Sequence, residues 1–565
     1  MSPTPSTFFR SARLVAALLT GLAWPATAQL TPEWTSTLPV GTSLSSGLSD
    51  YVIDAAGTTY VTGTTGAGPF ALDIVTAAYG PSGTLLWQRT FDGPLHGFDQ
   101  ASAIALGPDG TLYVSGDTQG VDFFASVLLV KYEAATGTLL DSVVYSSGPQ
   151  TSEYGGDVAV DPQGGVYVVG GTGGDGTDAL VLKFDAACDL QWKRTWDGAA
   201  FEPYTLDSAR YVRIDPQGDI VVLIHGVTGS NQPDFVVVKY AHQTGETIWT
   251  VSWGDNFGQT PRDMELDADG DIYVAGTYGF FETSRFSTIK LRGSDGALLW
   301  AMTNSFAYHN TEIGLTLDGL GGVYVTGTVD PDTDISNDND NIYTFKRGST
   351  DGALLWTHLY GGNAKYQRDE PSDVAADPAG HVFVGGWTNS PPYQADVITL
   401  VLDAASGLET DRHIIDGGPS LTADSGFLDF DADFNLFNGA GPVNATTGGV
   451  TMTLTKFTTL ASTPYQMNLP VLAGGTGATF AMKYGTPLGA QLIAFSLAGT
   501  ASIPIPALGA TLGLKSAQLL VLGMADASGS FAVGLHIPAA AVGITAWFQG
   551  LQFNGATPVV KRTVQ

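Results

Sequence analysis

The sequence predicts an all-β chain: an eight-bladed β-propeller of four-stranded antiparallel blades, closed by an N-terminal strand and followed by a small β-sandwich. Three observations predict it. A turn-and-strand string recurs eight times at intervals of about 54 residues. The repeats are filled with short apolar runs of strand length rather than helical patterns. The chain also carries 72 glycines and 29 prolines among 565 residues, the turn formers that many short strands need.

The clearest copy of the string is Asp161-Pro162-Gln163-Gly164, followed by a strand through Val166, Tyr167 and Val168 to Gly170. Related strings begin at Asp54, Gly107, Asp215, Asp267, Asp318, Asp377 and Asp431, and the gaps between successive copies are 53, 54, 54, 52, 51, 59 and 54 residues. Asp first, Pro second and Gly fourth are the preferences of a tight turn. The next strand carries an aromatic at Tyr60, Tyr113, Tyr167, Tyr273, Tyr324, Phe383 and Phe437, with Val221 in the fourth repeat. A third strand ends in pairs such as Lys131-Tyr132, Lys183-Phe184, Lys239-Tyr240 and Lys456-Phe457. The fourth opens on Trp87, Trp192, Trp249, Trp300 or Trp356, a ring repeated once per blade and therefore expected to pack between blades.

The eighth repeat lacks a Trp-bearing fourth strand. Residues 31–40 supply one, because Trp34 through Val40 follow the pattern of Trp87 through Phe91. The N-terminus is thus expected to complete the last blade and remove the open edges of the ring.

Before that strand, Arg10 and Arg13, the apolar run Leu14 to Trp24 and the small residues Ala26-Thr27-Ala28 make residues 1–28 an export signal cut before Gln29. No later run offers about 18 uninterrupted apolar residues, so no transmembrane segment is expected. The organisation is then a propeller at 29–458 and a C-terminal domain at 459–565. A charge break marks the boundary: Lys483, Lys515, Lys561 and Arg562 face only Asp526 beyond 458, in a chain of net charge −31. Such acidity excludes nucleic acid as a partner and favours cations or basic ligands. Cys188 is the single cysteine, so no internal disulfide forms, and its reading is a small buried apolar side chain.

The block from Asp54 to Thr64, repeated from Asp318 to Thr328, resembles the bacterial beta-propeller repeat family of secreted proteins over roughly 40–458. A weaker likeness, best at Thr244-Gly245 with Trp249, is to the pyrroloquinoline-quinone proteins, whose ring is also eight-bladed. That second resemblance implies a quinone beside calcium held by Glu, Asn and Asp, and in many members an adjacent-cysteine disulfide. The acids cannot be placed one by one here, and Cys188 stands alone. The C-terminal segment, with its Asp526 to Phe531 turn-strand, resembles small β-domains appended to large secreted bacterial proteins.

Catalytic motifs are missing from the sequence. There is no Gly-x-Ser-x-Gly elbow, no His-x-His or His-Glu-x-x-His pair and no Gly-Lys-Ser/Thr phosphate loop. What remains is acid. Seven residues before each repeat's reference glycine stand Asp50, Asp157, Asp263 and Asp373, and the loops just ahead carry Asp99, Glu153, Asp207, Glu312, Asp369 and Asp424. These are expected to ring one mouth of the central channel, with Arg210 and Arg262 partly offsetting them, either to attract a cation or basic ligand or to accept hydrogen bonds from loop backbone. Calcium is the one cofactor suggested. Asp330, Asp332, Asp334, Asp338 and Asp340 alternate in a long sixth-repeat loop that is either a solvated acidic loop or a hard-cation site. The function favoured is a non-catalytic exported binding or scaffold propeller for an extracellular ligand or protein. The alternatives are an exported enzyme with an acidic site at the channel mouth, quinoprotein-like or carbohydrate-active, and a calcium-dependent adhesion protein.

Overall fold

Seven of the eight repeats open their turn on an aspartate, and in four of them that residue does two things at once. Asp161 Oδ1 accepts the Gln163 and Gly165 amides at 2.9 and 2.7 Å, and the Tyr167 hydroxyl donates to its other oxygen at 2.9 Å. Asp54, Asp267 and Asp318 repeat the pattern with Tyr60, Tyr273 and Tyr324. The turn is thereby pinned to the strand that follows it. Gly164 closes it at φ +86°, a conformation with a steric cost for any residue with a Cβ. Lys183, Lys290 and Lys346 from the third strand lie over the same tyrosine rings at 5.2, 4.8 and 4.9 Å.

The computed structural model describes residues 30–458 except for short loop segments, among them 42–46, 199–206, 305–312 and 331–339, and describes the strands alone within 466–563. The expected export signal at 1–28 lies outside the described residues. Eight antiparallel four-stranded blades follow one another around a ring, and the described residues hold no helix long and apolar enough to cross a membrane. The third blade, for example, runs Ser152–Val160, Val166–Gly173, Asp178–Phe184 and Leu190–Trp196 from inside to outside. The inner strands are partly buried along the channel, the two middle strands almost wholly buried, and the outer strands mostly exposed.

Closure is by the N-terminus. Thr31–Gly41 pairs antiparallel with Gly449–Thr458, placing Trp34 opposite Lys456 and completing the eighth blade. One parallel bridge, Gly41 to Gly66, continues from it to the first blade.

The tryptophans pack between blades. The indoles of Trp87, Trp300 and Trp356 donate to the carbonyls of Ala134, Ser349 and Ala404 in the next blade at 2.9, 3.0 and 3.0 Å, and Trp34 donates to Pro81 at 2.8 Å. Under each ring lies a turn glycine of that next blade, Gly137, Gly352, Gly407 and Gly83, where a Cβ would come within 2.5–2.8 Å of the indole. Cys188 is buried in the third blade among Val166, Leu182 and Phe184.

The second compact unit spans 459–565. Its described strands form a three-stranded sheet (466–468, 477–483, 531–536), a five-stranded sheet built on 490–496 and 545–552, and the hairpin 500–514.

Candidate functional site

An inner strand lays alternate side chains into the channel. Asp50, Asp157, Asp263 and Asp373 occupy the same place in blades one, three, five and seven, and all four line a cavity of about 680 Å³ at the ring's centre. The intervening blades put Ala103, Tyr211, Gly314 and Phe427 there.

Each of the four aspartates is bonded in the same way. One oxygen accepts the amide of its own successor: Tyr51 at 2.8 Å, Val158 at 2.9 Å, Met264 at 2.7 Å and Val374 at 2.7 Å. The other accepts an amide from the following blade: Ile104 at 2.9 Å, Val212 at 3.0 Å, Leu315 at 2.7 Å and Leu428 at 2.8 Å. The carboxylates therefore tie blades together in pairs, one with two, three with four, five with six and seven with eight. These four residues line the channel and also accept hydrogen bonds from backbone, as the second reading of the sequence expected.

The cavity holds further charge. Two residues along the same strands, and so on the same face, are Arg213, Glu265 and Asp429. Arg213 bonds Asp157 at 2.9 Å and lies 3.7 Å from Glu265. Arg210 also lines the cavity, whereas Arg262 does not. Sequence reasoning missed Arg213, Glu265 and Asp429, although extending the alternation by one step finds them.

Crowding of acids in a confined space moves their titration. Burial raises Asp50 and Asp263 to about 7, and repulsion from Asp157 and Glu265 respectively adds to the effect. Asp373 rises to about 8 and Asp429 to about 6, both mainly through burial. Glu265 is raised by burial against the pull of Arg213.

Asp99, Glu153, Asp207 and Asp369 correct the expectation of a single ring, because none of them lines the cavity. All four are fully buried, each four residues before the channel position of its blade. A β-bulge intervenes every time, between 101 and 103, 155 and 158, 209 and 211, and 371 and 373. One extra residue reverses which face the alternation serves, so these acids turn away and cap the incoming loop. Asp207 accepts the Gly198 and Val227 amides at 2.9 and 2.7 Å. Asp99 accepts Gly93 at 2.7 Å, Glu153 accepts the Ser147 amide and hydroxyl, and Asp369 accepts the Thr388 hydroxyl. Glu312 and the Asp424 side chain lie outside the described residues.

Of the sixth-repeat loop, Asp332, Asp334 and Asp338 also lie outside the described residues, while Asp330 and Asp340 are buried at its two ends. Asp340 pairs with Arg368 at 3.4 Å, and its carbonyl accepts the Asp369 amide at 2.8 Å. That carboxylate serves the seam between the sixth and seventh blades.

The channel residues do not fit a quinone held beside calcium. Its described lining contains no asparagine, its four equivalent aspartates are each engaged by two backbone amides, and Cys188 is alone and buried.

No family model and no curated protein matches this chain. Among solved structures, the chain is similar to the quinohemoprotein alcohol dehydrogenase of Comamonas testosteroni, at 13% identity over 79% of each chain with a TM-score of 0.48. It is likewise similar to the quinohemoprotein alcohol dehydrogenase ADHIIG of Pseudomonas putida HK5, at 14% identity over 79% of each chain and a TM-score of 0.49. Polysaccharide lyase Uly1 is similar at 10% identity, over 63% of this chain and 89% of that one, with a TM-score of 0.41. Likenesses of this size say nothing of what the present chain binds or transforms.

Proposed function

We propose that this protein is an exported, non-catalytic binding or scaffold propeller whose central channel receives a cationic ligand or the basic segment of a partner protein. One observation carries the reading. Among the described residues, six carboxyl groups, Asp50, Asp157, Asp263, Glu265, Asp373 and Asp429, share one cavity with two guanidinium groups, Arg210 and Arg213. Like charges in a narrow opening with low-dielectric walls focus a negative potential on it. The amides that hold four of these acids fix their orientation, and because Asp50, Asp263 and Asp373 keep protons to about 7, 7 and 8, the field strengthens as pH rises through that range.

The test is binding of a basic probe, a hexalysine peptide, to the full chain by calorimetry at about pH 9, above the raised value of Asp373, at low and physiological salt. Saturable binding is expected, weakening at least tenfold in the Asp373→Asn, Asp429→Asn double variant. Binding that is unchanged in this variant places the basic probe elsewhere on the acidic surface and overturns the reading.

A second reading has one specific support. Asp50, Asp263 and Asp373 are held near neutrality, the range in which a carboxyl group serves as a general acid. An exported carbohydrate-active enzyme is that alternative. Cleavage of acidic or neutral polysaccharides by the wild type, lost on Asp373→Asn, would favour it over binding alone.

A further inference from the structure

The seam between blades four and five is tied differently from its neighbours near the channel. Blade four places Tyr211, not an aspartate, at the channel position, so no carboxylate reaches from there to a blade-five amide. A second kind of tie is lost as well. Thr64 accepts the Ala101 amide of blade two at 3.3 Å, and Asp117 accepts the Gly155 amide of blade three at 2.7 Å. Their counterpart in blade four is His225. Opposite Gly276 in blade five, where Ala101 stands opposite Gly116 in blade two, is Pro261, which has no N–H to give. Among the described residues neither ring nitrogen of His225 makes a hydrogen bond.

Cationic groups gather at this seam. Arg210 and Arg262 are the bulge residues of the inner strands Ser208–Ile214 and Gln259–Leu266, the same place in two neighbouring blades. Both stand close enough to His225 to act on its ring. Burial first, and then the two guanidinium groups, push it down to about 4, so the ring is neutral at ordinary pH. Among the described residues neither arginine has an ion pair or a hydrogen bond, in a chain of net charge −31.

Two buried donors are left over beside them. Arg262 Nε is sealed from solvent and has no acceptor. Ser208, opposite His225 in the register, is 4% exposed, and its hydroxyl also has no partner. Ala209 packs toward blade three, while Val221 and Leu223 pack against Met264 of blade five, so Ser208 and His225 face blade five. Donors buried without acceptors are costly until something accepts from them. The seam between blades six and seven shows the contrast. Pro371 there leaves the Thr328 hydroxyl without a partner in the same way, but blade six has no bulge and blade seven carries Ser372 in the arginine's place.

We propose that Arg210, Arg262 and Ser208, with the His225 ring beside them, hold one doubly charged tetrahedral oxyanion, which bridges blades four and five where their own ties are missing. Two guanidinium groups beside a neutral ring match a charge of −2. A planar carboxylate presents its two oxygens to a single guanidinium fork, whereas the four oxygens of sulfate or phosphate can face forks arriving from two blades and leave one for the hydroxyl. The acidity of the whole chain repels anions, so saturable anion binding reports these side chains rather than the general surface. The proposal does not rest on cation binding in the channel, because Arg262, His225 and Ser208 lie outside the cavity lining, and either reading can fail alone.

The experiment is calorimetric titration of sodium sulfate into the full chain at low ionic strength and neutral pH, with melting temperature read in parallel. One saturable site is expected, with a rise in melting temperature that chloride at equal ionic strength does not give. Arg262→Gln should weaken binding at least tenfold, and Arg210→Gln, at an exposed side chain, gives the same reading should the first variant fold poorly. Ser208→Ala should weaken it by a smaller factor, and Arg292→Gln, whose side chain pairs with Asp295, should leave it intact. Inorganic phosphate is expected to compete with sulfate. Equal competition by glycerol 3-phosphate assigns the site to a phosphate ester, and its exclusion assigns the site to the free ion. No saturable sulfate binding by the folded wild type overturns the proposal. So does unchanged affinity in a folded Arg262→Gln or Arg210→Gln variant, or equal weakening in Arg292→Gln.

Discussion

The Trp34 indole donates to the Pro81 carbonyl at 2.8 Å, the bond that Trp87 makes to Ala134 one blade later. The two rings rest on Gly83 and Gly137 in the same manner. A residue from the start of the chain therefore performs, at the end of the ring, the task that five other blades assign to a tryptophan of their own outer strand.

Deleting residues 31–40 should expose the edge of Gly449–Thr458 and strip cover from Phe437, Met452 and Leu454. Loss of several large apolar contacts at roughly 1.5–3 kcal/mol each should lower the melting temperature markedly and promote self-association. Differential scanning calorimetry with light scattering checks both; an unchanged melt in a monomeric variant would falsify closure by this strand.

Gly245→Ala should be costly in a place where no ligand is expected. Gly245 has φ +67°, and a Cβ there would meet the Trp192 indole at 2.7 Å. The left-handed conformation alone costs a non-glycine residue about 1–2 kcal/mol, and displacement of the ring adds to it. Chemical denaturation should show a loss above that range, whereas Gly218→Ala, where a Cβ meets nothing, should show the conformational cost only.

Asp263→Ala should leave the Leu315 and Met264 amides without acceptors, at about 1–3 kcal/mol for each that water does not rescue. Hydrogen exchange gives the sharper reading. The Leu315 amide should lose protection while Val212, bonded to Asp157 across another boundary, keeps its own.

Stability should fall as pH rises from about 5 to above 8. Asp50, Asp263 and Asp373 hold protons to about 7, 7 and 8 in the folded chain, against 3.8 ordinarily, so the folded state binds more protons throughout that interval. A raised folded value stabilises below the unfolded one and is lost through the folded one. Thermal melts across this range should show the decline, and Asp373→Asn should flatten its upper end. A melt that rises from pH 5 to 8 would contradict the burial of these carboxyls.

The propeller was legible in the sequence because one physical problem is solved eight times. Asp161, Gly164, Tyr167 and Trp192 each occupy a position that the turn, the strand and the neighbouring blade all constrain, and a constraint repeated every 54 or so residues is visible without any structure. The acid mouth was half legible. Asp50, Asp157, Asp263 and Asp373 followed from the repeat register, but Asp99, Glu153, Asp207 and Asp369 were carried across a bulge that alternation does not reveal. In the fourth strand, the glycines four residues ahead of Trp87, Trp249, Trp300 and Trp356 read from sequence as part of the same turn. They serve instead the rings of the preceding blades, a relation between residues some fifty positions apart.

The alternation of Asp50, Asp157, Asp263 and Asp373 with Ala103, Tyr211, Gly314 and Phe427 gives the ring a grain of two blades. A single repeat lifted out would take away either an acceptor or the amide it serves, and would set two like blades side by side. The unit that carries one complete seam is therefore the doublet of roughly 107 residues, the spacing from Asp50 to Asp157. A shortened variant of this chain that loses one blade should leave one seam mismatched, whereas removal of a whole doublet should keep every remaining seam paired.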